Sequence, residues 1–426
     1  VTVDCGITAV EAIAHASSIG IDTVITDHHE PPAVLPAAFA IVNPLRPGCA
    51  YPFKSLAGVG VTFKLVERLL RGRGGLERAR TYLDAVALGT IADVVPLVGE
   101  NRVLARLGLD RLNAAPRLGL SALIDVSALS GKRITSGHVA FVLAPRINAA
   151  GRMGNAEQGL RLLLARETQE AEDIARSLED DNLKRRAHDE KVLIEAVRMV
   201  EHDLPYPDCS SILLWSDTWH PGVIGIVASR LVEKFQRPAL LVAIDGERGR
   251  GSGRSLPGLD LTRLLDGCTD LLLAHGGHAF AAGLSVRRER LPELRERFEH
   301  LVREQYRPDQ FVQRLELEAD LKAGDIHMEL VEWLERMAPH GLDNPEPLFR
   351  MADARVTDVR EVGGGKHVRL IARDDTGEVE AIGFGLGAQA PALRRAGRAD
   401  LAFVPTRNEW SGETRVQLKL KGIRIP

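Results

Sequence analysis

The chain has 426 residues, of which 45% are hydrophobic and 27% charged, with a formal net charge of −3. That length exceeds a single ordinary domain, and no apolar run approaches the roughly 18 residues of a membrane span. The near-neutral balance excludes a uniformly basic nucleic-acid coat, so contact with a polyanion has to come from local patches over an acidic background.

The first residues, 1–4, form a β-branched run ending in Asp4. A helical stretch at 8–19 follows, in which Thr8 and Glu11 have capping-box spacing. A second β-branched run at 23–26 ends in Asp27-His28-His29. Strand, helix, strand at this spacing predicts a right-handed βαβ unit with parallel strands. Asp4 then lies beside Asp27, His28 and His29 at the carboxyl edge, where open α/β sheets bind ligands. Carboxylate and imidazole together favour a divalent metal such as Mn²⁺, whereas Mg²⁺ prefers oxygen ligands. A strand at 39–42 and helices at 61–70, 77–88, 102–113 and 119–127 complete an alternating first region. Gly58-Val59-Gly60 reads as a tight turn into a helix. Asp93 ends an apolar segment, and Arg146-Ile147-Asn148-Ala149-Ala150-Gly151-Arg152 sets two arginines around a helix start, with small residues that allow close backbone approach.

A charged helical pattern without Gly or Pro runs from 168 to about 202, with Leu178, Leu183, Val192, Ile194 and Val197 marking its buried side. Its length suits a connecting helix between domains. A second α/β region follows, with strands at 211–215 and 239–244 and helices at 223–235, 261–265 and 291–306. Residues 249–255 read as a glycine-rich loop, and Gly276-Gly277-His278 as a turn. In Gly251-Ser252-Gly253-Arg254-Ser255, backbone N–H groups, hydroxyls and a guanidinium stand together, a combination that suits phosphate. The basic cluster Arg287-Arg288-Arg290 reads first as a solvated face and second as a nucleic-acid contact. Beyond Pro308 short alternating strands dominate, at 314–321, 348–359, 367–373, 378–384, 401–406 and 415–420, with one helix at 327–337. They predict a small Greek-key barrel of the OB type. The 4% aromatic content leaves few rings for base stacking. Cys5, Cys49, Cys209 and Cys268 form no Cys-x-x-Cys pair, which suits a reducing cytoplasm.

Asp27-His28-His29 after a strand, with Val3-Asp4-Cys5-Gly6 upstream, resembles the signature of the DHH phosphoesterase superfamily. The segment from Gly89 to Leu97 resembles the superfamily's later metal-binding aspartate, and that from Ala274 to Gly283 the glycine-histidine motif of the DHH-associated domain. Four motifs in order are far more specific than any one. The resemblance covers essentially the whole chain and is nearest the single-strand-specific 5′→3′ DNA exonucleases of that superfamily. It implies an α/β fold with a parallel-sheet DHH domain over 1–165, a connecting helix over 166–204, a smaller α/β DHH-associated domain over 205–308 and an OB-like barrel over 309–426. It also implies a two-metal site of Mn²⁺ or Mg²⁺. Asp4 would bridge the metals, His28 and Asp93 would ligate them, and His29 would contact the scissile phosphate. Asp27 would orient an imidazole from behind. Substrate contacts would fall to Arg146, Asn148, Arg152, Ser252, Arg254, Ser255, Gly276, Gly277 and His278. Trp219-His220-Pro221-Gly222-Val223-Ile224-Gly225 resembles a further segment that shapes the cleft.

Single-stranded DNA is the implied substrate, in repair and recombination, with a RecQ-type helicase and a single-strand-binding protein as partners. Members carry an Asp-x-Asp motif on a strand preceding the first one here. The chain starts at Val1 without it, so a fragment lacking two metal-ligand aspartates is expected, whose own catalytic competence is in question. Two other functions fit the same motifs: a phosphodiesterase for short oligonucleotides or cyclic dinucleotides, and a non-catalytic module binding single strands. The barrel favours the exonuclease over the first.

Overall fold

The structure, a computed structural model, describes residues 1–72, 75–114, 116–152, 155–306, 314–410 and 413–425, with the side chains of Arg152 and Trp410 outside that description. The expected boundary at 308–309 falls outside the described residues. The fold is mixed α/β and divides into two compact units. One comprises Val1–Arg117, Lys132–Phe141 and Leu315–Pro426, the other Leu118–Gly131 and Val142–Arg314.

In the first unit β1 (Thr2–Val3), β2 (Val24–Thr26) and β3 (Ala40–Val42) form a parallel sheet in that order. The ladder runs on past the strands: Asp4 N–H donates to the Thr26 carbonyl (2.9 Å) and Asp27 N–H to the Val42 carbonyl (3.1 Å). This continuation brings the two aspartates to one edge. The capping box does not form. The helix starts only at Val10, with Ala9 as N-cap and no side-chain cap. A turn closed by Ala9 N–H on the Gly6 carbonyl consumes Thr8 first. The helix Gly58–Leu70 takes in Gly58 and Gly60, both buried. The helix expected at 77–88 is two, Gly75–Arg80 and Leu83–Ala92. Leu56, Val61, Phe63, Val86 and Leu104 join these helices in one core, each large side chain contributing about 1.5–3 kcal/mol by burial.

In the second unit the helix Thr168–Asp203 is 36 residues long. Its buried stripe comprises Ala171, Ile174, Ala175, Leu178, Asn182, Arg185, Asp189, Val192, Ala196 and Val200. Leu183 and Ile194, expected inside, are exposed. The helical period instead turns a polar trio inward, where Arg185 bonds Asp189 (2.8 Å) and Asn182 (2.9 Å). Val192, Ala196 and Val200 pack into the core of a five-stranded sheet. Its order is β4 (Ile212–Ser216), β5 (Ala239–Asp245), β6 (Arg248–Arg254), β8 (Ala281–Arg287), β7 (Leu272–His278), with only β4 and β5 parallel.

Two expected loops are strands here. The glycine-rich run is β6, and Gly276-Gly277-His278 ends β7. A Cβ on Gly249, Gly251 or Gly253 would strike Val242, Leu284 or Leu240. Glycine is present because apolar neighbours already fill that face, not because the backbone has to turn.

The C-terminal barrel belongs to the first unit. β10 (Phe349–Val362), β11 (His367–Arg373), β12 (Glu378–Gly383), β14 (Glu413–Arg424) and β13 (Arg398–Trp410) close on one another, and β9 (Ala319–Asp320) adds to β10. The strand expected over 314–321 shrinks to β9. Met351, Leu370, Ala381, Leu401, Phe403 and Leu418 fill the interior. The barrel and its preceding helix, Met328–Met337, are tied to the N-terminal part. Leu97 N–H donates to the Leu342 carbonyl (2.8 Å), Arg102 to Met337 (2.9 Å) and Arg106 to Ala338 (3.0 Å).

Candidate functional site

Asp4, His28 and Asp93 converge. His28 Nε2 lies 3.1 Å from Asp4 Oδ1 and 3.4 Å from Asp93 Oδ2. Asp4 leaves β1 with φ of +62°, a left-handed conformation that non-glycine residues hold only where surroundings enforce it. Asp93 reaches the site from the C-cap of the helix Leu83–Ala92. The apolar segment that Asp93 ends is thus a helix, not a strand of the parallel sheet. A Cβ on Gly58 would land on the Asp4 carboxylate, so that glycine clears the space Asp4 occupies.

Asp27, 1% exposed, holds the cluster from behind. It accepts from Ile7 N–H (3.0 Å) and His28 N–H (2.8 Å), and its Oδ1 lies 2.8 Å from His29 Nδ1. Burial pushes its carboxyl up, but these bonds outweigh burial and hold it below the usual range. The same contact turns His29 Nε2 away from Asp27, and the His29 side chain is 47% exposed.

The Asp4 carboxylate, and then Asp93 against the opposing effect of burial, raise the His28 imidazole above its ordinary range. Burial, and the Asp4 charge against His28, raise the Asp93 carboxyl. His28 Nε2 is itself buried and has no well-directed hydrogen bond, despite two carboxylates within reach. Two acidic groups crowding a buried imidazole nitrogen of this kind are what a divalent cation relieves. Asp4, His28 and His29 also present ligand atoms within 4.8 Å of one another. The donor set therefore fits a metal.

In the second unit Ser252 and Arg254 stand on one face of β6. Arg254 Nη1 donates to the Gly253 carbonyl (2.7 Å) and to Ser252 Oγ (3.2 Å). The helix Pro221–Phe235 starts beside them, capped by His220 Nδ1 on Gly222 N–H (3.0 Å). A Cβ on Gly225 would come within 2.9 Å of Ser252 Oγ and 3.1 Å of Arg254 Nη2. Sequence reasoning gave neither Gly58 nor Gly225 the task of clearing space for a polar side chain; a glycine inside a helix is the signal they offered. Ser255 spends its hydroxyl on the Leu259 carbonyl (2.7 Å). Gly276, Gly277 and His278 are exposed on β7. Arg146 lies in the first turn of the helix Ala144–Arg152, which continues a π-helical stretch, Val139–Leu143, and Arg152 ends that helix. Arg146 is buried against Glu179 and donates to the Val142 carbonyl (2.7 Å). Asn148 is exposed, and the Arg152 side chain lies outside the described residues. In the barrel, Arg369 pairs with Glu380 (2.7 Å) and Lys421 with Glu346 (3.0 Å).

Residues 1–90 match the DHH family, N-terminal domain, residues 191–304 the DHHA1 domain, and residues 317–422 the RecJ OB domain. The chain is 39% identical to the single-stranded-DNA-specific exonuclease RecJ of Bacillus subtilis, over 100% of this chain and 54% of that protein. It is 35% identical to RecJ of Haemophilus influenzae, over 98% of this chain and 76% of that protein. RecJ from Thermus thermophilus, solved in complex with Mn²⁺, superposes with a TM-score of 0.87 at 33% identity, covering 100% of this chain and 61% of that one. The chain thus spans about half the length of the Bacillus relative and three quarters of the Haemophilus one. The motifs, the closed barrel and full-length identity agree: this chain belongs to the RecJ family of the DHH superfamily.

Proposed function

We propose that this chain is the core of a metal-dependent exonuclease that hydrolyses single-stranded DNA from its 5′ end. One observation carries the reading: a buried imidazole nitrogen, His28 Nε2, faces two carboxylates at the edge of a parallel sheet. Asp4, His28 and Asp93 would hold Mn²⁺, or Mg²⁺, with imidazole favouring the former. When bound, the metal lowers the pKa of a coordinated water and offsets charge on the phosphate. His29, its Nδ1 held at Asp27, keeps Nε2 for the phosphodiester oxygens. Asp27 fixes the orientation of that ring and of the His28 backbone. Ser252, Arg254 and His278 hold a phosphate of the strand, supported by Asn148, Arg146 and Arg152. The barrel guides the strand through Lys366 and Lys419. A RecQ-type helicase and a single-strand-binding protein are proposed partners on the family resemblance alone.

Among the described residues no helix is long and apolar enough to cross a membrane. All four cysteines are free thiols, and burial pushes Cys268 up to about 11. We place the protein in the cytoplasm on these thiols.

The test is hydrolysis of 5′-labelled single- and double-stranded DNA with Mn²⁺, by the product of the whole natural gene. Single-strand-specific release from the 5′ end, reduced to background by His28→Ala, is the expected result. Near-normal turnover in that variant, or equal attack on duplex, sinks the reading.

A further inference from the structure

The open face of the second sheet carries a row of arginines that the metal centre and the Ser252–Arg254 pair do not account for. The ladder register sets them out in ranks across β6, β8 and β7. Arg254 stands level with Ala281 and His278, Ser252 with Gly283 and Gly276, Arg250 with Ser285 and Ala274, and Arg248 with Arg287. Successive ranks are about 7 Å apart, two residues along a strand. Arg248, Arg250 and Arg287 are all exposed, and none forms an ion pair with a described residue. Their neighbours Arg288 and Arg290 do, with Asp217 (3.0 Å) and Glu293 (2.9 Å). Among the described residues Asp245, opposite Arg248 on β5, is the one acid in register with the row.

Like charges directly opposite on adjacent strands destabilise a sheet. Arg248 against Arg287 is such a pair, with Arg250 on the same face. Beside them the floor is low. A Cβ on Gly276 would meet nothing within 4 Å, and one on Gly283 only the Gly251 carbonyl at 3.9 Å. Neither glycine has the positive φ that demands glycine.

We infer that this face is a polyanion track: Arg250, Arg248 and Arg287 bind the phosphodiester backbone of a single strand beyond the nucleotide held at Ser252 and Arg254. The inference rests on a single strand being the substrate. The cations supply the attraction, and the side-chain-free floor lets sugars and bases lie against the sheet. The track then sets how long a strand is gripped, not how a bond is cut.

The test is equilibrium binding of fluorescein-labelled oligothymidylates of two lengths, a 4-mer and a 12-mer, to this chain with EDTA present. Arg250→Ala and Arg287→Ala should each weaken the 12-mer about tenfold and lower the salt slope by about 0.7. The 4-mer should change less than about twofold. Arg250→Lys should keep the salt slope, and thermal stability should not fall in the alanine variants. Gly283→Val should melt like the parent yet lose 12-mer affinity. An unchanged 12-mer affinity, or equal loss at both lengths, overturns the track. Binding is read without hydrolysis, so a protein that shows the length dependence but cuts nothing keeps the track and loses the proposed reaction.

Discussion

Gly58 shows how much of the proposed metal centre rests on a residue with no functional group. It sits in the first turn of a helix, where alanine ordinarily costs nothing and saves up to about 1 kcal/mol. Here the added methyl would land on Asp4, already held in a left-handed conformation. Gly58→Ala should leave the melting temperature close to the parent's. It should weaken Mn²⁺ binding about 10–100-fold, as for a group that positions a ligand. Isothermal titration with Mn²⁺ decides it, and unchanged affinity would show that Asp4 has room to move. The grouping of Asp4 with His28 was legible in the sequence because parallel strands end together. The position of Asp93 on a helix end and the role of Gly58 were not. Both depend on how helices lie over the sheet, which strand periodicity does not encode.

The elements divide by how local their cause is. The barrel strands β11 and β12 follow alternation and turn chemistry closely, and were predicted within a residue. β6 and the end of β7 were predicted as loop and turn because glycine-rich runs lack β propensity. They are strands because Val242, Leu240 and Leu284 occupy the space side chains would need. The long helix was foreseen almost to the residue, but its inward polar trio was not, since three polar residues in helical register look like a solvated face.

The turn between β11 and β12 offers an element-level prediction. Asp374 accepts from Thr376 N–H (2.7 Å), Thr376 Oγ1 (2.6 Å) and Ala323 N–H (2.7 Å), stitching the turn to the segment before the barrel helix. Burial acts to raise its carboxyl, and these bonds outweigh burial and lower it. A depressed folded value adds stability that is complete above the ordinary carboxylate value, near 3.9. It is lost as pH falls through the folded value. Asp374→Asn should therefore melt lower than the parent at pH 6, with the gap closing as pH drops below about 4. A gap that is constant from pH 2 to 6 would show that the charge is irrelevant to the turn.

At the scale of the whole molecule the two compact units do not follow the order of the chain. The unit that carries the proposed metal centre is built from segments far apart in the chain, joined where Arg102 and Arg106 donate to the Met337 and Ala338 carbonyls. Calorimetry should resolve two transitions, since each unit has its own core. Arg102→Ala with Arg106→Ala removes charged hydrogen bonds that are partly exposed. The loss is discounted to about 1 kcal/mol, a shift of roughly 2–4 °C in one transition only. Equal shifts in both, or a single transition, would contradict the division.

That interleaving has a consequence during synthesis. The second unit is nearly continuous, so it can finish folding as soon as Arg314 clears the ribosome. The first cannot. Its N-terminal part emerges early, but the helix that carries Arg102 and Arg106 waits for the segment after Leu315. At roughly 5–20 residues per second, the roughly 200 intervening residues take on the order of 10–40 s. For that interval the surface around Leu97, Arg102 and Arg106, meant for the Met328–Met337 helix and the segment after it, is without its partner. A translational pause placed between the two ends would lengthen the exposure and raise the demand for chaperones, while leaving the fold of the second unit untouched.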